Sequence, residues 1–200
     1  MSWYCINPFG SISTDTLGYY EVCCEGRPSG IHVNDMTISE YKNSDYLNEI
    51  KHAFKSKDAR ENELVKEACA FCIKKEKEGA ISKRIRDNNQ QYFEPYLELK
   101  MIGNICNYAC VMCSSYSSSI IAEEEGLDIP KYFDPPEKWW NDFKEIAPEY
   151  KTFKFSGGEP FMSPTFKKII RTLKEINHTD VSLQIHTNGS VSSKVLQKLI

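Results

Sequence analysis

Cys106-Asn-Tyr-Ala-Cys110-Val-Met-Cys113 is the stretch that decides the fold of this 200-residue chain. Its three thiols have the spacing C-x3-C-x2-C and lie in the turn after a strand-like run from Leu97 to Ile102. Three cysteines on so short a loop can converge on one metal centre while one corner of that centre keeps no protein ligand. A four-iron cluster held in this way has one iron open to a small molecule. On spacing alone, the same cysteines also suit part of a zinc site.

Two further motifs also follow strand-like runs. The turn Gly157-Gly-Glu-Pro160 comes after the run from Lys151 to Ser156, and His186-Thr-Asn-Gly189 closes the run from Val181 to Ile185. Glycines let a backbone approach a ligand closely, and the carboxylate of Glu159 can accept a hydrogen bond from an ammonium group. Each motif alone is an ordinary turn more often than a ligand contact. Their order after the cysteine loop favours a shared site.

Together, the three motifs resemble the signature of the radical S-adenosylmethionine (radical SAM) enzymes. The resemblance implies an α/β fold with a parallel (β/α) barrel, whose reactive groups lie at the carboxyl ends of the strands. It also implies a [4Fe-4S] cluster whose open iron is chelated by the amino and carboxylate groups of S-adenosylmethionine. The implied cluster ligands are Cys106, Cys110 and Cys113, and the implied cofactor-binding residues are Gly157, Gly158, Glu159 and Asn188.

The resemblance further implies the reaction. A one-electron reduction would cleave the cofactor, and the resulting 5′-deoxyadenosyl radical would abstract hydrogen from an unidentified peptide, sugar or metabolite. The electron would come from a donor such as a flavodoxin or ferredoxin. No side chain need act as an acid or base, because the protein's tasks are to seat the cofactor and exclude water. Met112 stands where many relatives have an aromatic residue near the adenine.

The barrel predicted for residues 92–200 is partial. Members of the family usually have six β/α units, and this stretch holds about three, with helical periodicity still present from Val195 to Ile200. We therefore expect a truncated product or one piece of a split enzyme, with a second chain completing the barrel. Alone, the chain is expected to bind a cluster but to cleave the cofactor poorly.

Residues 1–91 are predicted to form a small, cysteine-rich α+β domain of their own. A hairpin is expected where Ile12 and Thr14 alternate and the chain turns back into Tyr19 to Val22. Gly26 to Gly30 is expected to be a loop. Thr37, three residues before Glu40, predicts a capping box at the start of a helix that carries apolar residues at helical spacing. These residues are Tyr41, Tyr46, Leu47, Ile50 and Phe54.

Four thiols of this region form a second candidate site. The spacing from Cys5 through Gly18 to Cys23 resembles the opening of the auxiliary-cluster modules called SPASM and twitch, and one later C-x2-C, Cys69 and Cys72, fits twitch. The resemblance implies a second iron-sulfur cluster that relays electrons or binds substrate. Four thiolates also suit a structural zinc ion. Cys24 is either a small buried side chain or the ligand in place of Cys23.

Composition excludes several classes of function. The net charge is -3, which gives no general attraction to nucleic acid or anionic lipid. No apolar run reaches 18 residues, and no secretory signal precedes Cys5, so a cytoplasmic chain without membrane spans is expected. Two alternatives to a radical SAM enzyme stay open: an electron-carrying or redox-sensing iron-sulfur protein without catalysis, and a zinc-stabilised interaction module.

Overall fold

This computed structural model describes residues 3–56 and 59–191, which form six strands and nine α-helices. The strands are β1 (Ile12–Thr14), β2 (Tyr19–Glu21), β3 (Pro28–His32), β4 (Tyr96–Leu99), β5 (Thr152–Phe155) and β6 (Ser182–Ile185). The helices are α1 (Asn7–Gly10), α2 (Ile38–Lys42), α3 (Asp45–Lys55), α4 (Glu63–Ala68), α5 (Ala70–Lys77), α6 (Lys83–Asn88), α7 (Ser119–Glu124), α8 (Glu137–Ile146) and α9 (Pro164–Glu175). Short 3-10 turns cover Ala59–Glu61, Lys100–Ile102, Ala147–Glu149 and Pro160–Met162.

The six strands form one mixed sheet in the order β3-β2-β1-β4-β5-β6. Strands β1, β4, β5 and β6 run parallel, with Leu97 of β4 paired to Ile12 on one side and to Phe153 on the other. Strands β1, β2 and β3 are antiparallel neighbours. The chain is therefore of mixed α/β class, and the three strands predicted for residues 92–200 are confirmed as β4, β5 and β6. The helical period predicted for residues 195–200 lies outside the described residues.

The sheet also crosses the predicted boundary between residues 91 and 92. Because β1 pairs in parallel with β4, the N-terminal hairpin extends the strands of the partial barrel. The strands of residues 1–91 therefore belong to the same sheet as those of residues 92–200. The division into a twitch-like domain at 1–91 and a barrel half at 92–200 therefore stays a prediction.

One face of the sheet is apolar and is covered by α8 and α9. Phe153 and Phe155 have no exposed surface and contact rings of these helices, with Phe143 at 6.3 Å and Phe166 at 4.9 Å between ring centroids. Both helices carry apolar residues at helical spacing, and Trp139 of α8 is also fully buried. Burying each such side chain contributes about 1.5–3 kcal/mol. The aromatic side chains of α8 therefore pack against the sheet.

The opposite face of the same strands is polar. Side chains alternate between the faces of a sheet, so the neighbours of Leu97 and Phe153 point the other way. Ser13, Glu98, Lys154 and Gln184 stand side by side in register across β1, β4, β5 and β6. Four parallel strands thus place a polar row on the face away from the aromatic core.

The N-terminal hairpin is confirmed, because β1 and β2 pair antiparallel. The expected loop from Gly26 to Gly30 is wrong in part: β3 begins at Pro28 and pairs with β2 through an irregular register. Glycine and proline made this stretch look like a loop, but Pro28 is placed at the start of a strand, where a missing N–H is tolerated.

The capping box at Thr37 is confirmed. Glu40 donates its backbone N–H to Thr37 Oγ1 at 3.3 Å, and the Thr37 N–H donates to the Glu40 carboxylate at 2.8 Å. The helix expected to continue to Phe54 is two helices, since Ser44 caps α3 by accepting from Leu47 N at 3.2 Å. In the described residues, no helix is long and apolar enough to cross a membrane.

Candidate functional site

The cysteine loop joins the 3-10 turn after β4 to α7. Its three thiols are free and half-buried. A bond from Cys113 N to Cys110 O at 2.9 Å tightens the loop, and Ser119 Oγ is 3.2 Å from both the N and the O of Cys106. Partial burial raises the pKa of the Cys113 thiol, and the nearby thiols of Cys110 and Cys106 raise it further. The structure therefore brings the three predicted cluster ligands together.

The base of the cysteine loop is fixed by Gly103 and Asn104. Gly103 has φ +92°, and a Cβ there would lie 2.2 Å from Lys131 O, so only glycine fits. Asn104 has no exposed surface; its Nδ2 donates to Ser115 O at 2.8 Å and its backbone O accepts from Ser119 N at 2.8 Å. The loop thus rests on a rigid backbone platform directly after β4.

The Gly-Gly-Glu turn packs against this platform. Gly158 N donates to Gly103 O at 3.0 Å, and Glu159 N donates to Ile105 O at 2.7 Å. A Cβ at Gly158 would lie 2.2 Å from Ile105 O. The sequence predicted that glycine here lets the backbone approach a ligand. The structure shows a close approach to the base of the cysteine loop, and the contact with a cofactor stays a prediction.

Glu159 links the second motif to the third. Its side chain is only 1% exposed, and its two carboxylate oxygens accept from Thr187 Oγ1 at 2.9 and 2.8 Å. The same carboxylate accepts from Asn188 N at 2.8 Å and from Phe161 N at 3.1 Å. Sequence reasoning assigned Glu159 to the ammonium of the cofactor. In the structure the carboxylate accepts hydrogen bonds from donors of the chain itself. Its binding of the cofactor's ammonium group stays a prediction.

Asn188 links the third motif to the first. Its Nδ2 lies 3.5 Å from Cys106 Sγ and 3.0 Å from Asn107 Oδ1. The ends of β4, β5 and β6 therefore meet at one place, as expected where parallel strands end side by side. Met112 points outward and is 92% exposed, so its predicted place beside an adenine stays untested.

The four N-terminal thiols also converge. Cys5, Cys23, Cys69 and Cys72 are all buried and line one enclosed cavity of about 10 Å³. Burial raises the pKa of Cys5, of Cys23 and of Cys69, and neighbouring thiols of the group raise each of them further. The set that spacing predicted is thus brought together from four places: Cys5 lies two residues before α1, Cys23 follows β2, Cys69 lies between α4 and α5, and Cys72 lies in the first turn of α5.

Cys24 faces away from this cavity. Its thiol meets Glu98 on the polar face of the sheet, and burial, followed by the charge of Glu98, raises its pKa to about 12. Of the two adjacent cysteines, Cys23 is the one beside Cys5 and Cys69.

Sequence reasoning missed Arg84, which lines the same cavity. Its guanidinium donates twice to Glu76 at 2.8 Å and lies 4.8 Å from the ring centroid of Trp3. The charged run from Lys74 to Lys83, a pattern typical of a solvated helical face, ends just before Arg84. Nothing in the local spacing signals that Arg84 turns inward to this cavity.

Neither thiol group is arranged as a site for a single ion. Within the described residues, no three His, Cys, Asp or Glu side chains are placed to ligate one metal ion together. Thiolates on one tetrahedral zinc lie about 3.8 Å apart, from a Zn–S length of about 2.3 Å. A cluster binds each thiolate through a different iron and so separates them more widely. The donor set of the cysteine loop, three soft sulfurs on one loop, fits such a cluster.

Comparison with known proteins gives the family. The model of the Radical SAM superfamily matches residues 101–200, which is half of the chain and includes all three motifs. No curated protein and no solved structure matches the chain. Enzymes of this family use a [4Fe-4S] cluster and S-adenosylmethionine, which accounts for three motifs converging at the carboxyl ends of β4, β5 and β6. The chain belongs to the radical SAM superfamily.

Proposed function

We propose that the chain starts hydrogen abstraction from a peptide, sugar or other metabolite by reductive cleavage of S-adenosylmethionine. The observation that carries the proposal is the convergence of Asn188 on Cys106, while Glu159 holds the backbone of Asn188. Bound to Cys106, Cys110 and Cys113, a four-iron cluster supplies the electron for this cleavage. The chain supplies the ligands and a backbone frame around the open position.

Asn188 and Glu159 have separate tasks in this proposal. An amide N–H that points at a ligating sulfur stabilises the thiolate and shifts the cluster potential. Asn188 Nδ2 is placed for that task, at 3.5 Å from Cys106 Sγ. Glu159 is a positioning residue, since its carboxylate holds the Thr187 and Asn188 donors. Gly157 and Gly158 provide backbone atoms for the cofactor.

Two partners belong to the proposal. A flavodoxin or ferredoxin supplies single electrons, and the outward-facing Val111 and Met112 offer it an apolar contact beside the cluster. A second chain that completes the barrel would pair with β6, the edge strand on the parallel side of the sheet in the described residues. Leu183 on this strand is 41% exposed.

We further propose that Cys5, Cys23, Cys69 and Cys72 hold an auxiliary iron-sulfur cluster. Support comes from four buried thiols that face one cavity. A cavity of about 10 Å³ admits little more than one water molecule, so the thiols must separate when a cluster is inserted. A structural zinc ion is the competing occupant, and metal analysis separates the two.

The test is anaerobic reconstitution with iron and sulfide, followed by metal and sulfide counting and by electron paramagnetic resonance with and without S-adenosylmethionine. We expect two clusters, of which one changes its signal when the cofactor is added. Replacing Cys106, Cys110 and Cys113 together by alanine should abolish that response and remove about four irons. Full iron content in this variant would refute the assignment.

A second variant tests the auxiliary site. Replacing Cys5, Cys23, Cys69 and Cys72 by serine should remove the cluster that does not respond to the cofactor, whereas Cys24→Ser serves as the matched control and should keep both. Two clusters without a response to S-adenosylmethionine would indicate a non-catalytic iron-sulfur protein. Zinc without acid-labile sulfide would indicate a zinc-stabilised module.

A further inference from the structure

On the polar face of the sheet, the ammonium group of Lys154 has no carboxylate oxygen within 4.0 Å among the described residues. In (β/α) barrels the inner face is usually filled by branched apolar side chains. Here the row across β1, β4, β5 and β6 contains Glu98 and Lys154 side by side. Charged groups withdrawn from water are normally paired. Their partners therefore decide which of them is available to a ligand.

Most charges around this row are paired. Glu21 lies 2.8 Å from Lys100, and Asp87 lies 2.9 Å from Lys83. Glu98, beside Lys154 in register, contacts the neutral thiol of Cys24 and has no ammonium nitrogen within 4.0 Å among the described residues.

Lys154 differs from Lys83 and Lys100. In the described part of the chain, no carboxylate oxygen lies within 4.0 Å of its Nζ. The Nζ instead lies 3.5 Å from the ring centroid of Tyr96, a cation-π contact that holds it in place.

The charge on Lys154 is only partly solvated. Burial lowers the pKa of Lys154, and the like charge of Lys83 lowers it further, while Glu98, Cys24 and Asp87 act in the opposite direction. A half-buried ammonium with a lowered pKa gains more from an incoming anion than an exposed lysine does, because it gives up less hydration.

Lys154 forms part of the wall of a cavity of about 440 Å³, a size that suits a small organic molecule. Thr152 and Gln184 provide further polar groups, and Tyr92 and Phe93 provide aromatic surface.

Two acidic residues also line this cavity, but both have partners. Asp87 is held by Lys83 and by Asn7 Nδ2 at 2.8 Å, and Glu94 accepts from Thr152 Oγ1 at 2.7 Å. Among the described residues that line the cavity, Lys154 is the one cation, and Glu94 is a carboxylate held by a hydroxyl and not by an ammonium group.

The cavity and the proposed cofactor site are both built on β5, the cavity at Lys154 within the strand and the cofactor site at the turn that follows its carboxyl end. Lys154 precedes Gly157 by three residues, which along a strand corresponds to about 10 Å. The lining residues come from the segment before β4 and from the first three positions of β4, β5 and β6, so a molecule anchored at Lys154 must span this distance to reach the cysteine loop.

We propose that Lys154 binds an anionic oxygen group, a carboxylate or a phosphate, of the substrate, whose apolar or aromatic part lies on Tyr92 and Phe93. Gln184, next to Lys154 in register, contributes an amide donor to the same group. The assignment of this ligand as substrate rests on the proposed function, whereas the binding site itself does not.

The test is a titration of the full iron-free chain with benzoate, phenyl phosphate and neutral benzamide, followed by heteronuclear NMR at pH 7. We expect saturable binding of at least one of the two anions, with benzamide about tenfold weaker or more. The anion that binds more tightly identifies the group as carboxylate or phosphate. Loss of a hydrogen bond to a charged group costs about 1.5–3 kcal/mol, so Lys154→Met should weaken anion binding about tenfold or more.

Lys154→Arg keeps the positive charge and should retain most of the affinity. Lys151→Met is the matched control, because Lys151 lies just before β5, is 59% exposed and sits 3.6 Å from Asp180; it should leave binding unchanged. Equal affinity for benzamide and benzoate, unchanged binding by Lys154→Met, or no saturation by either anion at about 50 mM would overturn the proposal. If Lys154→Met fails to fold, the wild-type comparison of benzoate with benzamide decides.

These outcomes are independent of the cluster assignment. If the chain binds no anion but its cluster responds to S-adenosylmethionine, only the proposal for Lys154 is refuted. If the chain binds the anion but assembles no responsive cluster, the proposed function is refuted and the binding site at Lys154 is retained.

Discussion

Gly158 shows why a residue of the second motif is glycine, independently of any ligand. A Cβ added there would lie 2.2 Å from Ile105 O and 2.5 Å from the Asn104 carbonyl carbon, both backbone atoms that cannot swing away. We predict that Gly158→Ala destabilises the protein by about 3 kcal/mol or more, since overpacking displaces the cysteine loop. Urea unfolding of the iron-free chain measures this.

Gly189→Ala is the matched control for Gly158. Gly189 has φ +70° and nothing within 4 Å of an added Cβ, so only backbone strain of about 1–2 kcal/mol is expected. If the two variants were equally stable, the contact between the two loops would not be the reason for the glycine.

Glu159 provides a second prediction, because one carboxylate holds the whole third motif. In Glu159→Gln one acceptor oxygen is replaced by an NH2 group that faces the Thr187 hydroxyl and the Asn188 N–H. We expect the free energy of local opening of the segment around Asn188 to fall by about 1–3 kcal/mol, which speeds amide hydrogen exchange at Asn188. Glu175→Gln, on the exposed face of α9, should leave this exchange unchanged. Unaltered protection in Glu159→Gln would show that the carboxylate does not hold the segment.

The residues of the site differ in how far sequence could identify them. The spacing of Cys106, Cys110 and Cys113 places them on one loop, so their grouping follows from local chain geometry. The partners of Glu159 are 28 and 29 residues away, and the contact depends on β5 and β6 being neighbours. Arg84 lines the same cavity as Cys5 through a tertiary fold that no short-range pattern encodes.

At the scale of elements, the sequence predicted β1 and β2 as a hairpin, β4, β5 and β6 as strand-like runs, and a helix that begins after Thr37. The pairing of strands could not be predicted in this way, since Ile12 of β1 and Leu97 of β4 are 85 residues apart in the chain yet are paired in the sheet. The Pro28 strand was missed because local turn preference outweighs the weak signal of a short edge strand. Long-range pairing is decided by burial and register, which a single sequence does not display.

The ion pair between Glu21 of β2 and Lys100, which directly follows β4, predicts a pH dependence. Burial raises the pKa of Glu21 to about 7, although Lys100 at 2.8 Å opposes the rise. The unfolded chain releases this proton near pH 4.5, so between about 4.5 and 7 the folded state binds more protons than the unfolded state. The free energy of unfolding contributed by this group therefore falls as pH rises through that window, by roughly 1–3 kcal/mol.

Glu21→Gln removes the titrating group and keeps an oxygen for Lys100. Urea unfolding of the iron-free chain measures the free energy of unfolding between pH 4.5 and 7. In wild type this free energy should contain the decline due to Glu21, whereas in the variant that decline should be absent. Glu149→Gln, at an exposed pair with Lys42, should behave as wild type. An identical pH profile for wild type and Glu21→Gln would mean that Glu21 is ionised throughout the window.

For the whole molecule, the two parts of the chain share one core. One buried apolar cluster includes Ile12 and Tyr20 from the N-terminal part together with Leu97, Trp139 and Phe153. Trp139 Nε1 donates to Tyr20 Oη at 3.0 Å, and Asp142 of α8 accepts from Ser39 N at 2.9 Å. The auxiliary thiols and the cysteine loop are thus held by the same packed body, so neither site can form its full surroundings without the other half.

This shared core predicts that residues 92–200 do not fold alone. Without β1, the edge of β4 loses a parallel partner, and the fully buried Leu97 and Trp139 lose their contacts to Ile12 and Tyr20. The intact iron-free chain should unfold in one transition seen alike by circular dichroism and by tryptophan fluorescence, as two-state domains do. The isolated 92–200 fragment should show no cooperative transition, and adding the 1–91 fragment should restore one. A fragment that melts cooperatively at the midpoint of the intact chain would instead establish the boundary at residue 91 as a true domain border, because its core would then be complete without β1.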